Sequence, residues 1–226
     1  PVIIGSLTTV AIFAVVRTIG GTTAGLVAAL LFSVSVPIIL RGFIGWFKSE
    51  PLGLFLGLFA VYLCISGIKS GYNKLSLIRI AGAGILTALS INAWGGSEFF
   101  LIILGLFFLV LPFFRNDKKF IVYATAIFIF SMSIVLSQLD PASFGGDIIN
   151  LDVSYADMAL EPGPLGVFMA GVLLFVFISA VIQKIKQRFK TSYGLIILGS
   201  LVAIGFSVAS IIGKLPSFRY QTAANP

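Results

Sequence analysis

The sequence predicts an all-α protein that crosses a membrane about eight times. Hydrophobic residues make up 58% of its 226 residues and charged residues only 10%, well below the roughly 25% of charged residues in soluble domains. Mean hydropathy is +1.11. Apolar runs of about 17–21 residues recur along the chain, and a helix of that length spans a hydrocarbon core of ~30 Å. The predicted fold is therefore a polytopic bundle of transmembrane helices.

Each predicted span begins and ends where an apolar run meets charged or turn-forming residues. In order, the spans are Val2–Val16, Thr22–Leu40, Leu52–Ile68, Leu75–Asn92, Glu98–Phe114, Phe120–Leu139, Leu165–Ile182 and Tyr193–Gly213. No soluble domain interrupts them, so residues 1–226 are predicted to form part of one transmembrane domain.

The links between spans alternate in charge. One set carries eleven cations and a single acid, Asp117, whereas the other carries four cations and seven acids. Because Lys and Arg concentrate in cytoplasmic links, the first set is predicted inside and the second outside. The external loops are then 41–51, 93–97, 139–164 and 214–226. We expect a multi-pass protein of the cell membrane.

Composition excludes several classes of function. The net charge of +7 belongs to short links and reports topology, so no nucleic-acid partner is predicted. The chain has no His, which removes His metal sites, His-containing triads and imidazole proton relays. The single cysteine, Cys64, lies inside an apolar run and cannot form an internal disulfide.

The first external loop carries the most polar short segment on its side of the membrane, with Arg41, Lys48 and Glu50 between two apolar runs. A carboxylate at the edge of a bilayer has a desolvation cost and usually has a cationic partner. One interpretation is structural: Ser49 caps the next helix, and Glu50 and Pro51 occupy its first turn. The other is functional: Glu50 is one of several oxygen ligands to Mg²⁺ or Mn²⁺.

Two further external positions carry candidate site residues. Trp94 precedes two glycines in a tight turn between spans, and Glu98 starts the next helix. Arg219 and Tyr220 follow the last span. Each has an ordinary explanation, since aromatic and basic side chains anchor helices at membrane interfaces. The alternative is that Arg219 meets a lipid phosphate.

Two glycine pairs, Gly21 with Gly25 and Gly53 with Gly57, have a spacing of four residues. This spacing lets transmembrane helices approach closely. Such matches also arise by chance in a chain with 24 glycines, so both pairs are interpreted as helix packing and neither is assigned a ligand.

Three short motifs together resemble those of the oligosaccharyltransferase catalytic subunit. Residues 41–50 (RGFIGWFKSE) resemble the second acidic motif of that family, and residues 93–96 (AWGG) resemble its Ala-Trp-Gly-Gly turn. Residues 215–220 (LPSFRY) resemble the lead-in to its long external loop. The chain is similar to the archaeal single-subunit form, of which it would supply about the second to the ninth spans.

The resemblance implies a GT-C type fold and a membrane glycosyltransferase. Such an enzyme moves an oligosaccharide from a dolichyl phosphate or pyrophosphate carrier to the Asn of an Asn-x-Ser/Thr sequon. The implied partners are the lipid-linked oligosaccharide, the acceptor polypeptide and membrane lipid, and the implied active face is extracytoplasmic. The implied cofactor is Mn²⁺ or Mg²⁺, with Glu50 at the matching ligand position. Arg41, Lys48, Trp94 and Arg219 are candidates for contacts with substrate or carrier, and no catalytic residue is assigned.

The sequence departs from the family pattern in the acidic motif and after the glycine turn. Lys48 stands where the family usually has Asp, and an ammonium group repels a cation instead of binding it. Either this branch of the family uses fewer carboxylates in the motif, or its metal site is altered. Lys48 itself either pairs with Glu50 or approaches a lipid pyrophosphate. Ser97 and Glu98 replace an aromatic–aliphatic pair. The chain lacks the family's other motifs, so we expect it to be a piece of a longer protein and inactive alone.

Two other functions fit the same sequence. One is a different GT-C glycosyltransferase that uses a lipid-linked sugar, and the other is a polytopic transporter. Transporters usually carry ionisable residues in mid-span or broken helices at matched positions of two halves. Nearly every charge here lies at the end of a span, which favours the glycosyltransferase.

Overall fold

A computed structural model describes residues 2–36, 49–139, 164–186 and 193–201. Within those ranges the regular structure is helical and there is no strand, which confirms the predicted all-α class. Residues 193–201 are helical, and a 3-10 turn covers Gly95–Ser97. The longer helices are α1 (Val2–Ser33), α2 (Glu50–Lys69), α3 (Lys74–Ala93), α4 (Glu98–Phe114), α5 (Lys118–Leu139) and α6 (Pro164–Lys186).

Five helical stretches in the described residues are long and apolar enough to cross a membrane. They are Ile3–Ser33, Glu50–Lys69, Lys74–Ala93, Gly95–Phe114 and Lys118–Leu136, and Phe168–Lys184 is a shorter apolar stretch. The predicted third to sixth spans end within two residues of the helices α2 to α5. The total of about eight spans stays a prediction, because the last predicted span is described only over residues 193–201.

Helix α1 is interrupted at Gly21. The backbone there adopts φ 88° and ψ 177°, a conformation that residues with a Cβ atom rarely adopt. Along a straight helix, Phe13 and Gly25 would lie ~18 Å apart. Instead, the Phe13 carbonyl oxygen lies 3.0 Å from the position that a Cβ atom on Gly25 would occupy. The chain therefore reverses direction at Gly21, and the two halves of α1 pack side by side.

This reversal agrees with the first two predicted spans over the residues described. It also shows that Gly21 and Gly25, which the four-residue spacing grouped as one pair, have different roles. Gly25 allows close helix packing, as predicted, whereas among the described residues no neighbouring atom lies within 4 Å of the Cβ position of Gly21. Gly21 therefore serves the turn, and its interpretation as a packing residue was wrong.

The core of the bundle is built from α2 to α6. Helix α2 packs against α1 and α3, α3 packs against α5, and α6 packs against both α4 and α5. Aromatic rings fill the centre: Phe108 and Phe128 are fully buried, with ring centroids 5.4 Å apart. Phe113 and Phe175 join α4 to α6, with centroids 5.9 Å apart.

Cations of the predicted cytoplasmic links gather at one end of the bundle. Lys69, the last residue of α2, donates a hydrogen bond to a carbonyl of α1, and Arg115 donates to a carbonyl of α2. Arg79 donates to two hydroxyl groups near the end of α2, at 3.1 Å and 3.0 Å. Glu50 lies at the opposite end of α2. The helices thus separate this basic end from the end that carries the candidate site.

Candidate functional site

Glu50 is the first residue of α2, at the end of the bundle that the sequence places outside the membrane. Ser49 occupies the N-cap position, and Pro51 lies in the first turn, as the structural interpretation predicts. The Ser49 side chain makes no capping hydrogen bond, so the helix start does not depend on it. The Glu50 carboxylate is favoured beside the free N–H groups of this first turn. Its side chain is half-buried.

The turn between α3 and α4 packs directly on the first turn of α2. A Cβ atom on Gly53 would lie 2.8 Å from the Cβ atom of Trp94 and 2.8 Å from the hydroxyl oxygen of Ser97. Gly53 is three residues after Glu50, and residues with that spacing lie on the same face of a helix. The glycine therefore brings the Trp-Gly-Gly turn to the same end and the same side of α2 as Glu50.

The conformation of this turn depends on Gly96. A Cβ atom there would lie 2.5 Å from a ring carbon of Trp94, so the indole covers Gly96 and leaves no room for a side chain. Trp94 is half-buried and ends α3 in an extended conformation. The Ser97 amide donates to the Trp94 carbonyl at 2.8 Å. The turn thus holds the indole in one place beside the start of α2.

A buried hydrogen bond fixes α3 against α2 just below this turn. The Ser90 hydroxyl donates to the Gly53 carbonyl at 2.6 Å, and Ser90 is fully buried. Ser97 is also fully buried, but its hydroxyl has no hydrogen-bond partner among the residues that the structure describes. A buried hydroxyl without a partner costs about 1–3 kcal/mol, so Ser97 is a polar position that packing alone does not explain.

The described residues do not complete a metal site. Glu50 and Glu98 are the carboxylates at this end of the described structure, and Glu98 is exposed. Within the described ranges there is no group of three His, Cys, Asp or Glu side chains that would hold a metal ion. Since Mg²⁺ and Mn²⁺ need several oxygen ligands, Glu50 alone does not make such a site.

The structure brings together two of the five site residues predicted from the sequence, Glu50 and Trp94. The other three, Arg41, Lys48 and Arg219, lie outside the described residues, as do the loop 214–226 and all but the two end residues of the loop 139–164.

The sequence did not indicate that Gly53 and Ser90 belong to this end of the bundle, and it placed Ser97 in an external turn without predicting its burial. The four-residue spacing of Gly53 and Gly57 was the available signal, and it correctly indicated close helix packing. It did not reveal that the surface packed against Gly53 is the Trp94 turn.

Comparison with known proteins identifies the family of the chain. Residues 1–215 match the family model described as oligosaccharyl transferase STT3, N-terminal. The chain belongs to the oligosaccharyl transferase STT3 family. The match covers all of the helices described above, so the family membership applies to the bundle as a whole and not only to the short motifs.

A curated member of this family is similar to part of the chain. It is the dolichyl-diphosphooligosaccharide–protein glycosyltransferase subunit STT3B of Oryza sativa subsp. japonica, and the two are 34% identical over 104 residues. The match covers 46% of the chain and 14% of the rice protein. The STT3 family membership agrees with the first of the three functions weighed from the sequence.

Proposed function

We propose that this chain forms part of the membrane core of an oligosaccharyltransferase. In this proposal the complete protein transfers an oligosaccharide from a dolichyl phosphate or pyrophosphate carrier to the Asn of Asn-x-Ser/Thr sequons. The observation that carries the proposal is the packing of the Trp-Gly-Gly turn on the helix that Glu50 begins, in a chain whose family membership is shown. Two segments that are far apart in sequence thereby form one end of the bundle.

The chemistry of a lipid-linked donor suits this end of the bundle. The sugar and phosphate of such a donor lie at the membrane–water interface, while its hydrocarbon tail stays in the bilayer. Glu50 and Trp94 both lie at helix ends, which is where polar and aromatic groups meet the interface. We place the active face outside the cytoplasm, in a multi-pass protein of the cell membrane. The archaeal single-subunit form remains the type that we propose.

Glu50 is the proposed metal ligand of this chain. Its carboxylate is held at a helix start and supplies one oxygen donor of the kind that Mg²⁺ and Mn²⁺ prefer, with the remaining donors outside the described residues. When bound, a divalent cation stabilises negative charge on a leaving phosphate. Arg41, Lys48, Trp94 and Arg219 are the proposed contacts with the donor, since cations and an indole suit phosphate and sugar groups.

A peptide glycosylation assay on the full-length protein that contains this chain tests the proposal. We expect Glu50→Gln to lower the rate by about a hundredfold, the usual scale for losing a group that stabilises transition-state charge. The matched control is Glu98→Gln, because Glu98 begins α4 at the same end of the bundle but is exposed. Its rate should stay close to that of the wild type.

Titration with Mn²⁺ separates a binding role from a structural one. If Glu50 is a ligand, the Glu50→Gln protein should need more metal for half of its residual activity, while its melting temperature stays unchanged. An unchanged rate in Glu50→Gln would remove Glu50 from the site. Failure of the wild-type protein to glycosylate any sequon peptide would overturn the proposed function.

A further inference from the structure

A cavity of about 440 Å³ lies between α1 and α2 at the basic end of the bundle. Its volume falls within the range of small-molecule sites, roughly 300–1,000 Å³. Two cations, two aromatic rings and two small residues line it: Arg17, Lys69, Phe13, Tyr62, Ala14 and Thr18. The cavity therefore combines apolar walls with positive charge. It is not part of the packed core, and it is not part of the candidate site at the other end of the bundle.

The two cations are held in place by contacts that leave most of their donors available. The Lys69 ammonium donates to the Thr18 carbonyl of α1, and an ammonium group has three N–H donors. The Arg17 guanidinium lies 5.7 Å from the centre of the Phe13 ring and has five N–H donors. No hydrogen bond joins Arg17 to another described residue, and both cations are exposed.

No described carboxylate neutralises this cavity. Glu50 and Glu98 begin helices at the other end of the bundle. Asp117 lies in the link before α5, where it accepts a hydrogen bond from the Phe120 amide at 3.2 Å. Two cations close together without an acid attract an anion, and the attraction is stronger beside apolar walls than in water.

The position of the cavity indicates which class of anion it binds. Lys69 is the last residue of a 20-residue apolar helix, so the cavity opens where the hydrocarbon core meets the headgroups. Anionic lipids present phosphate at that depth, and their attraction to nearby Lys and Arg side chains is substantial. A guanidinium group fits phosphate oxygens with paired N–H donors, and an aromatic wall suits the adjoining glycerol and acyl carbons.

We propose that this cavity binds the phosphate of an anionic membrane lipid, with Arg17 and Lys69 as its ligands. The site is separate from the proposed donor site, because Glu50 and Lys69 are the two ends of α2 and thus lie about 30 Å apart. The inference goes beyond the proposed function, and its test measures bound lipid and not glycosylation.

The test is native mass spectrometry of the full-length protein, purified in detergent and incubated with equal amounts of phosphatidylglycerol and phosphatidylcholine. We expect the wild type to retain phosphatidylglycerol about thirtyfold more than phosphatidylcholine, the scale set by two nearby cations. The double variant Arg17→Gln with Lys69→Gln should lose this preference. Equal retention of the two lipids by the wild type would overturn the proposal.

A charge-matched control tests whether the general attraction of a basic surface accounts for the lipid preference. Lys74→Gln with Lys119→Gln also removes two exposed cations from the same end of the bundle, and neither residue lines the cavity. This control should keep the preference of the wild type. A similar loss in both double variants would show surface attraction only and would overturn the proposed site.

Two further measurements keep the test decisive. Arg17→Gln alone removes one cation without breaking a hydrogen bond to a described residue. The fold should therefore survive while the preference for phosphatidylglycerol falls severalfold, and an unchanged preference would contradict the proposal.

Titration with inorganic phosphate identifies the source of the anion. Phosphate binding that depends on Arg17 and Lys69, without retention of phosphatidylglycerol, would make this a site for a free anion and overturn the lipid assignment.

Discussion

The Cβ atom of Trp94 lies 2.8 Å from the position that a Cβ atom on Gly53 would occupy. This distance is shorter than any ordinary carbon–carbon contact, since optimal separations are about 3.5–4.0 Å. The start of α2 and the turn after α3 can therefore take their present positions only with glycine at residue 53. The relationship explains how Glu50 and Trp94 come to share one end of the bundle.

Gly53→Ala should displace the turn that carries Trp94. The added methyl group meets the Trp94 Cβ atom and the Ser97 hydroxyl at once, and such overpacking costs about 1–3 kcal/mol. These 226 residues contain two tryptophans, so in the 226-residue chain a Trp46→Phe background leaves Trp94 as the one indole emitter. We expect a red shift of its emission and a lower melting temperature in detergent.

Gly95→Ala is the matched control for that experiment. Gly95 lies in the same turn, but no neighbouring atom of the described residues is within 4 Å of its Cβ position. Its emission should be unchanged. If Gly53→Ala also left the emission of Trp94 unchanged, the close contact between α2 and the turn would be contradicted.

Ser90→Ala should destabilise the chain by about 1 kcal/mol, the usual net value of one hydrogen bond. The lost bond is the buried one from the Ser90 hydroxyl to the Gly53 carbonyl, which joins α3 to α2. Thermal unfolding followed by circular dichroism measures the change. Ser33→Ala is the control, since the Ser33 hydroxyl is exposed and bonds within its own helix. Equal shifts in the two variants would argue against a special role of Ser90.

Gly57→Ala should be destabilising through Phe100. The Phe100 ring occupies the space where the new methyl group would lie, and Phe100 is 3% exposed, so the ring has little room to move. We expect a loss of about 1–3 kcal/mol, measured by thermal unfolding.

Phe100→Leu supplies a smaller side chain and should recover part of the lost stability in the double variant with Gly57→Ala. A double-mutant cycle over the two substitutions detects this coupling. Gly171→Ala in α6 is the control, because no neighbouring atom in the described part of the chain lies within 4 Å of its Cβ position. Ala is also the better helix former by about 1 kcal/mol. Additive effects of Gly57→Ala and Phe100→Leu would contradict the proposed contact.

Lys118→Met should weaken the junction between α4 and α5. Lys118 is 4% exposed and donates hydrogen bonds to the carbonyls of Pro112 and Arg115, the latter at 2.7 Å. Met has a similar length but no donor, so carbonyl groups at the end of α4 lose a charged partner. We expect a loss of about 2 kcal/mol in thermal unfolding. Lys119→Met, at an exposed position, should change stability little, and an equal effect there would refute this role for Lys118.

The sequence predicted the helices well because hydrophobic length is a local property. The predicted span Glu98–Phe114 has the same ends as α4, and the first turn of α2 contains Glu50 and Pro51 as expected. Each of these features is set by residues within a few positions of one another. The apolar run fixes the helix, and the charged or turn-forming residue beside it fixes the end.

The contacts between helices could not be predicted in the same way. Ser90 and Gly53 are 37 residues apart, and nothing near either residue in the sequence shows that they meet. Likewise, Ser97 is polar and was expected in an external turn, yet it is fully buried. Such placements depend on which helix faces which, and that depends on side-chain shapes from distant segments.

The reversal at Gly21 has a consequence for the order of folding. The contact between Phe13 and Gly25 closes a loop of only about a dozen residues, and short loops cost little entropy to close. Contacts between α3 and α5 or between α4 and α6 join segments much farther apart in the sequence. The two halves of α1 can therefore form their mutual contact as soon as both are synthesised, before any later helix exists. We infer that this hairpin forms before α2 and offers the surface on which α2 then packs.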